Sequence, residues 1–273
     1  MEIISVDAHN LESEHICCAI TDKKGETCVS SKKAWMKKAF ADGLVFRKLN
    51  VRGKVFIEYI PAEKAWCPII AEDYMYIDCL WVSGQYKGQG FADRLLEQCT
   101  ADAKEKGKIG LTILSSSKKM PFLSDPKYLR YKGFLPADTA SPYYELLYLP
   151  FHDNAPAPRF KECAKHGKIA ETGMVLYYSN QCPHTDKYAP IIKEIAEHRG
   201  TTVNLVKLET AEQAQNAPAP FTTYSFFFDG NLVTNEILSE NKFNRLMDER
   251  HVCPKRETGP FVTATKDSNG LSS

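Results

Sequence analysis

The turn Gln85-Tyr86-Lys87-Gly88-Gln89-Gly90 stands between a strand-like run, Tyr74 to Val82, and an amphipathic segment that reads as a helix from about Gly88. The N–H groups of a first helical turn lack intrahelical partners, and glycine lets an anion approach where a side chain would block it. The turn is a candidate site for a phosphate-bearing cofactor. Asp78 interrupts the aromatic-rich run before it with a charge. A second reactive position is Cys182, in Asn180-Gln181-Cys182-Pro183-His184-Thr185, which follows the apolar run Met174 to Tyr178 and opens another helix. A helix N-terminus lowers a thiol pKa.

The elements that must position these groups follow from periodicity. Lys32 to Asp42 places Trp35, Met36, Ala39 and Phe40 on one helical face, with Gly43 as its stop. Leu44 to Leu49 and Lys54 to Ile60 read as a hairpin turning at Asn50–Gly53. After the glycine turn, Ala92, Leu95, Leu96, Cys99 and Ala103 keep the helical period as far as Gly107, and Ile109 to Leu114 is a strand. Ser124 is the predicted cap of a short helix with Pro126 in its first turn and Gly133 after its end, and Tyr143 to Leu149 is the last strand of this part. Residues 151–172, containing Asp153-Asn154-Ala155-Pro156-Ala157-Pro158, read as a linker. Beyond it lie the strand Met174 to Tyr178, a helix to His198, a strand Thr202 to Leu208, a short helix Ala211 to Gln215, a strand Thr222 to Phe228, a turn at Asp229-Gly230, a strand Asn231 to Val233 and a helix Ser239 to Glu249. The division is 1–150, a linker, 173–252 and a mobile tail from 253.

Two phosphate-binding patterns do not fit the turn. A dinucleotide site needs a third glycine where Asp93 stands, and an acidic residue after the strand that instead ends in serines and lysines. A Walker loop needs Gly-Lys-Ser/Thr, which is missing. Gln85, Gly88 and Gly90 fill the Gln/Arg-x-x-Gly-x-Gly/Ala motif of the GNAT acetyltransferases, Val82 stands at the family's valine three residues earlier, and Tyr128-Leu129-Arg130-Tyr131-Lys132-Gly133-Phe134 resembles its later Tyr-x-x-x-Gly-Phe segment. Residues 1–150 thus resemble that family.

The resemblance implies a splayed mixed sheet that binds acetyl-CoA. A bulge near Leu80, Trp81 and Val82 would free backbone groups for the pantetheine amides and for an oxyanion. Amides from Gln85 through Tyr86, Lys87, Gly88 and Gln89 to Gly90 would hold the pyrophosphate. Lys87 either adds charge or is solvated, as do Lys118 and Lys119 near the 3′-phosphate. Acetyl transfer to an amine needs a base, and Asp78 is the leading candidate, with Glu58 and Glu63 on the substrate side able to attract a cation. The family's acid tyrosine falls at Leu129. Tyr128 is the candidate if the helix register shifts; otherwise water or a serine of Ser115–Ser117 reprotonates the thiolate.

The order of elements after residue 172 is a thioredoxin-like pattern. Cys182 then occupies that family's nucleophile position, Pro220 its cis-proline, and Thr185 replaces the second cysteine. The alternatives are a monothiol site, a resolving thiol elsewhere such as Cys253, or an inert fold. The whole chain resembles the YoaP-like acetyltransferases. The fold class is therefore α/β (α+β), a GNAT mixed sheet followed by a smaller thioredoxin-like domain.

Length and charge agree. At 273 residues with a formal net charge of +1, two domains fit and nucleic acid gains no support as a partner. No apolar run approaches the roughly 18 residues of a membrane helix, and nothing resembles a signal sequence, so the cytoplasm is the predicted location. Nine cysteines without Cys-x-x-Cys spacing argue against a disulfide framework or a zinc ribbon, and no metal is expected. The sequence leads to an acetyl-CoA-dependent N-acetyltransferase acting by direct attack of a small-molecule primary amine. The alternative is a thiol oxidoreductase or adaptor working through Cys182. A homodimer is left open.

Overall fold

The computed structural model describes residues 1–16, 19–24 and 26–250 and arranges them around two sheets. The first part runs β1 (Ile3–Val6), α1 (Cys28–Ala39), β2 (Val45–Leu49), β3 (Val55–Pro61), β4 (Ile69–Ile70), β5 (Tyr74–Val82), α2 (Phe91–Glu105), β6 (Gly110–Ser116), α3 (Pro126–Tyr131), β7 (Leu135–Ala140) and β8 (Tyr144–Pro150). Seven of these strands form one sheet in the order β1-β2-β3-β5-β6-β8-β7. Only β5 and β6 pair in parallel, joined across the sheet by α2.

Each helix covers one face. From α1, Val29, Trp35, Met36 and Ala39 pack with Phe46, Phe56 and Tyr76. From α2, Phe91, Leu95, Leu96, Cys99 and Ala103 pack with Ile57, Tyr59 and Ile77 on the opposite face. Truncating the fully buried Leu95 to alanine would cost about 2–5 kcal/mol. A polar clamp fixes α2 to the hairpin: the Arg47 guanidinium donates to both oxygens of Asp102 at 2.9 and 2.7 Å, and the Tyr59 hydroxyl also donates to Asp102.

The second sheet follows β9 (Arg159–Phe160) and α4 (Glu162–Lys165). It contains β10 (Met174–Tyr178), β11 (Val203–Lys207), β12 (Tyr224–Phe228) and β13 (Asn231–Thr234), with α5 (Pro183–His198), α6 (Ala211–Gln215) and α7 (Glu240–Glu249). Its order is β11-β10-β12-β13, with β10 and β11 parallel and the others antiparallel. Ala189, Ile192 and Ala196 of α5 and Phe243 and Met247 of α7 cover one face. Residues 151–172 are held to the first part: β9 pairs with β4, and the Lys165 carbonyl accepts from the Ser141 N–H at 2.8 Å.

Several local expectations differ. The second helix begins at Phe91, because Gly84–Tyr86 forms a 3₁₀ turn and Gly90 is left-handed at φ 75°. Asp125, not Ser124, caps α3 by accepting from the Lys127 N–H at 2.9 Å. The edge strand β7 was hidden by Pro136 and Asp138, residue types that strands disfavour, and its ladder slips between them. The peptide before Pro220 is trans; among the described residues the one cis bond is Ser141–Pro142. Cys17, Cys18, Cys253 and the tail lie outside the described residues. No described helix is long and apolar enough to cross a membrane.

Candidate active site

The site begins with an irregularity in β5. Glu58 of β3 faces Cys79 while Tyr59 faces Ile77, so Asp78 is the extra residue of a bulge. The expected bulge at Leu80–Val82 is thus displaced toward the N-terminus. Its effect is a change of parity. Tyr74 and Tyr76 point to the α1 face, and beyond the bulge Cys79 joins them, while Met75 and Ile77 share the α2 face with Leu80 and Val82. The same point ends the pairing with β6, whose last partners are Ile77 and Ile113. Among the described residues the edge of β5 that faced β6 has no ladder partner from Asp78 onward, and the sheet opens there.

A cavity of about 380 Å³ lies on the α1 side of this opening. Glu58, Asp78, Leu80 and Trp81 line it from the first sheet, and Leu114 from the far side of the splay. Gln181, Cys182, His184, Phe221, Thr222 and Thr223 close it from the second part. Residues 121–124 complete the wall, held by the Ser115 hydroxyl donating to the Ser124 carbonyl at 2.8 Å. Buried Asn235 donates to the Pro121 carbonyl at 2.9 Å and accepts from the Tyr143 hydroxyl at 2.5 Å. Ser31 of α1 donates to Asp186 of α5 at 2.9 Å, Lys187 pairs with Glu26 at 2.6 Å, and the Thr222 hydroxyl donates to the Trp66 carbonyl. These bonds join the two parts around the cavity.

Its charged centre is a triad of buried Lys32 and Glu58 with half-buried Asp78. Lys32 of α1 lies 2.7 Å from Glu58, with the two side chains 0% and 1% exposed. Burial, the neighbouring Glu58 charge and a hydrogen bond with Glu58 push the Asp78 carboxyl well above the usual carboxylate range, against the pull of Lys32. The shift favours the protonated form of Asp78, and among the described residues no fixed donor reaches the buried Glu58 Oε2. Two carboxyl side chains thus meet beside one lysine at the cavity wall. Burial, then Lys54 and Lys187, lowers His184, which is neutral here.

The glycine turn lies on the surface at the end of β5. Gly88 and Gly90 have φ of 72° and 75°, and a Cβ on either would meet nothing within 4 Å, so the backbone conformation and not crowding requires glycine. No side chain caps α2, leaving its first-turn N–H groups to solvent or an anion. Gln85, Lys87 and Gln89 are exposed, and Tyr86 packs inward edge-on to Phe91.

The structure brings Asp78, Leu80, Trp81 and Cys182 to one cavity and does not bring Tyr128 there. Leu129 is core. The Tyr128 hydroxyl donates to Asp93 at 3.0 Å, and burial together with that bond pushes the phenol upward. Glu63 is likewise elsewhere, paired with Lys108 at 2.9 Å and accepting from the Asp73 N–H. Lys118 and Lys119 are exposed, the latter 3.3 Å from Asp125. The Thr185 hydroxyl is committed to the Ser179 and Cys182 carbonyls at 2.5 and 2.7 Å. Sequence reasoning missed Lys32, Gln181, His184 and Phe122. Lys32 carried a signal: it shares the helical face of Trp35, Met36 and Ala39, where a lysine requires a buried partner.

Residues 14–120 match the acetyltransferase (GNAT) family, and residues 203–245 match the YoaP-like family. The chain is 44% identical over 245 residues to the uncharacterized N-acetyltransferase YoaP of Bacillus subtilis (strain 168), an alignment covering 90% of this chain and 98% of that protein. Among solved structures, a PaiA N-acetyltransferase from Thermoplasma acidophilum in complex with coenzyme A is 16% identical, covering 55% of this chain and 100% of that one at a TM-score of 0.38. A GNAT family acetyltransferase from Brucella melitensis in complex with acetyl-CoA is 14% identical, covering 59% and 92% at a TM-score of 0.36. On the near-complete match to YoaP, this chain belongs to the GNAT family of N-acetyltransferases and carries a YoaP-like C-terminal region.

Proposed function

We propose that this N-acetyltransferase uses acetyl-CoA and transfers its acetyl group by direct attack of a primary amine bound in the cavity between the two sheets. The observation that carries the reading is the open edge of β5 after Ile77, which faces the Lys32–Glu58–Asp78 triad at one end and leads to the uncapped α2 at the other. The exposed glycine turn fits a pyrophosphate, with Gln85 to Gly90 and the first turn of α2 as its donors. The Ser83 N–H donates to the Lys54 carbonyl of the β3 side, so by alternation the Trp81 N–H also faces β3. The amides of Leu80 and Val82 face the open edge, where they fit pantetheine in the manner of an added strand. When bound, acetyl-CoA supplies the activated acetyl group.

The chain's own residues handle position and protons. A backbone N–H of the open β5 edge is the oxyanion donor. Net transfer moves one proton from nitrogen to sulfur. The Glu58–Asp78 pair takes up the first from the acceptor and returns one from its store, so Asp78 acts as proton holder and Glu58 as its exchange partner. Residues 181–184 and 220–223 exclude water by closing the cavity. Tyr128, bound to Asp93, has no part in these steps. In this reading the functional units are 1–150 and 173–252, with 151–172 as a pinned connection.

The test is CoA release from acetyl-CoA with an amine panel, for the wild type and for Cys182→Ser. Amine-dependent release that survives Cys182→Ser supports direct transfer. Release no faster than hydrolysis, with a disulfide-exchange activity abolished by Cys182→Ser, supports the thiol reading instead. Cys182 at the head of α5 and in the cavity wall is what keeps that second reading in view.

A further inference from the structure

We propose that the acceptor is an arylalkyl monoamine with an uncharged, hydrogen-bonding far end, of the phenethylamine, tyramine or tryptamine type. This deepens, and rests on, the acetyl-transfer reading. The charge balance of the cavity is the first argument. Among the described residues that line it, Glu58 and Asp78 are the acids, and no lysine or arginine is present. Glu58 is already matched by Lys32 behind it, Asp78 favours its protonated form, and His184 is neutral. An amino acid's carboxylate would touch no cation among the lining residues, and a polyamine would bury a second ammonium without a carboxylate. A single amine that enters as the neutral base, leaving its ammonium proton in solvent, adds no charge to the Lys32–Glu58–Asp78 set.

The walls are the second argument. Trp66, braced edge-on by Trp35 with ring centroids 5.6 Å apart, lines the interior with Phe56 and Phe221. Trp81 and Phe122 also line the cavity while remaining 44% and 45% exposed. Phe122 sits at φ 64°, a left-handed conformation that a phenylalanine adopts only under constraint. Such strain persists where a side chain must be presented, and here it presents a ring to the cavity. A planar ligand covers both exposed rings.

The far end is the third argument. Buried Gln181 reaches the Thr222 and Thr223 hydroxyls at only 3.4 and 3.5 Å, longer than a good hydrogen bond. A phenol or indole N–H offers Gln181 a stronger partner, whereas Lys54 and Lys187, which act on His184 from outside the lining, disfavour a second ammonium there.

The test measures CoA release by the full chain with acetyl-CoA and phenethylamine, tyramine, tryptamine, phenylalanine or spermidine. The aryl amines should exceed phenylalanine and spermidine in kcat/KM by at least roughly tenfold, the effect of burying an unmatched charge. Phe122→Gly separates ring loss from misfolding, because it relieves the left-handed strain. It should melt no lower than the wild type, yet raise KM for phenethylamine about tenfold more than KM for ethylamine. Equal or better use of spermidine or phenylalanine overturns this inference and leaves acetyl transfer standing, and so does an unchanged KM for phenethylamine in Phe122→Gly. No release with any amine overturns both.

Discussion

Replacing Lys32 by methionine is the most direct probe of the triad. Methionine keeps the length and much of the volume that Lys32 packs against Trp35, and removes the charge 2.7 Å from Glu58. At an effective dielectric of about 20 the attraction at that distance is about 6 kcal/mol. The net loss is smaller, because both charges lose hydration on burial; breaking a buried pair from one side costs about 3–5 kcal/mol in general. Urea unfolding followed by tryptophan fluorescence should show Lys32→Met losing about 3–5 kcal/mol. Lys32→Met with Glu58→Gln should recover most of the loss. A deficit under about 1 kcal/mol, or no recovery in the double variant, would refute a buried ion pair between Lys32 and Glu58.

Asp78→Asn keeps the hydrogen bond to Glu58 and removes the stored proton, so CoA release should fall by about 10²–10⁴-fold with the fold intact. Because the native pKa of Asp78 is raised, its contribution is fully present below the ordinary carboxylate value and is lost as pH rises toward the native value. Asp78→Asn should thus melt above the wild type at pH 8, with the gap closing toward pH 4. Gly88→Ala strains a left-handed residue by about 1–2 kcal/mol and should raise KM for acetyl-CoA about tenfold with little change in kcat; a fall in kcat alone would contradict the cradle. Asp22 caps α1 from six residues before it, accepting from the Val29 and Ser30 N–H groups at 2.6 and 2.9 Å. Desolvation opposes its ionisation, yet the hydrogen bonds from Ser30 and Val29 win and hold it at about 2. Asp22→Ala should cost about 1 kcal/mol at neutral pH, a difference that thermal melts should find lost as pH falls from about 4 through 2.

Local pattern was enough for much of this protein. The run Tyr74–Val82, the glycine turn and the stripe Leu95, Leu96, Cys99 and Ala103 state strand, turn and helix in neighbouring residues, because periodicity and the conformational needs of glycine act over one or two turns of chain. The same holds for β10, α5 and β12 around Cys182. With two motifs in order, the chain already indicated its family. It did not reveal the bulge at Asp78, since a bulge is a mismatch in count between two strands and neither strand carries it alone. Nor did it reveal that Asp78 and Cys182 line one cavity: their separation along the chain is closed by tertiary contacts, among them the packing of α1 on α5 and the Asn235 and Thr222 hydrogen bonds. Tyr128 misled for the same reason, because its neighbours suggested an acid while the fold turned its hydroxyl to Asp93. The sequence by itself determined the kinds of elements and the glycine turn at the head of α2, which depend on local backbone geometry. Tertiary structure alone decided that Glu58 and Asp78 meet beside Lys32 and that Asp78 is pushed above the usual carboxylate range, since both follow from packing between separate elements.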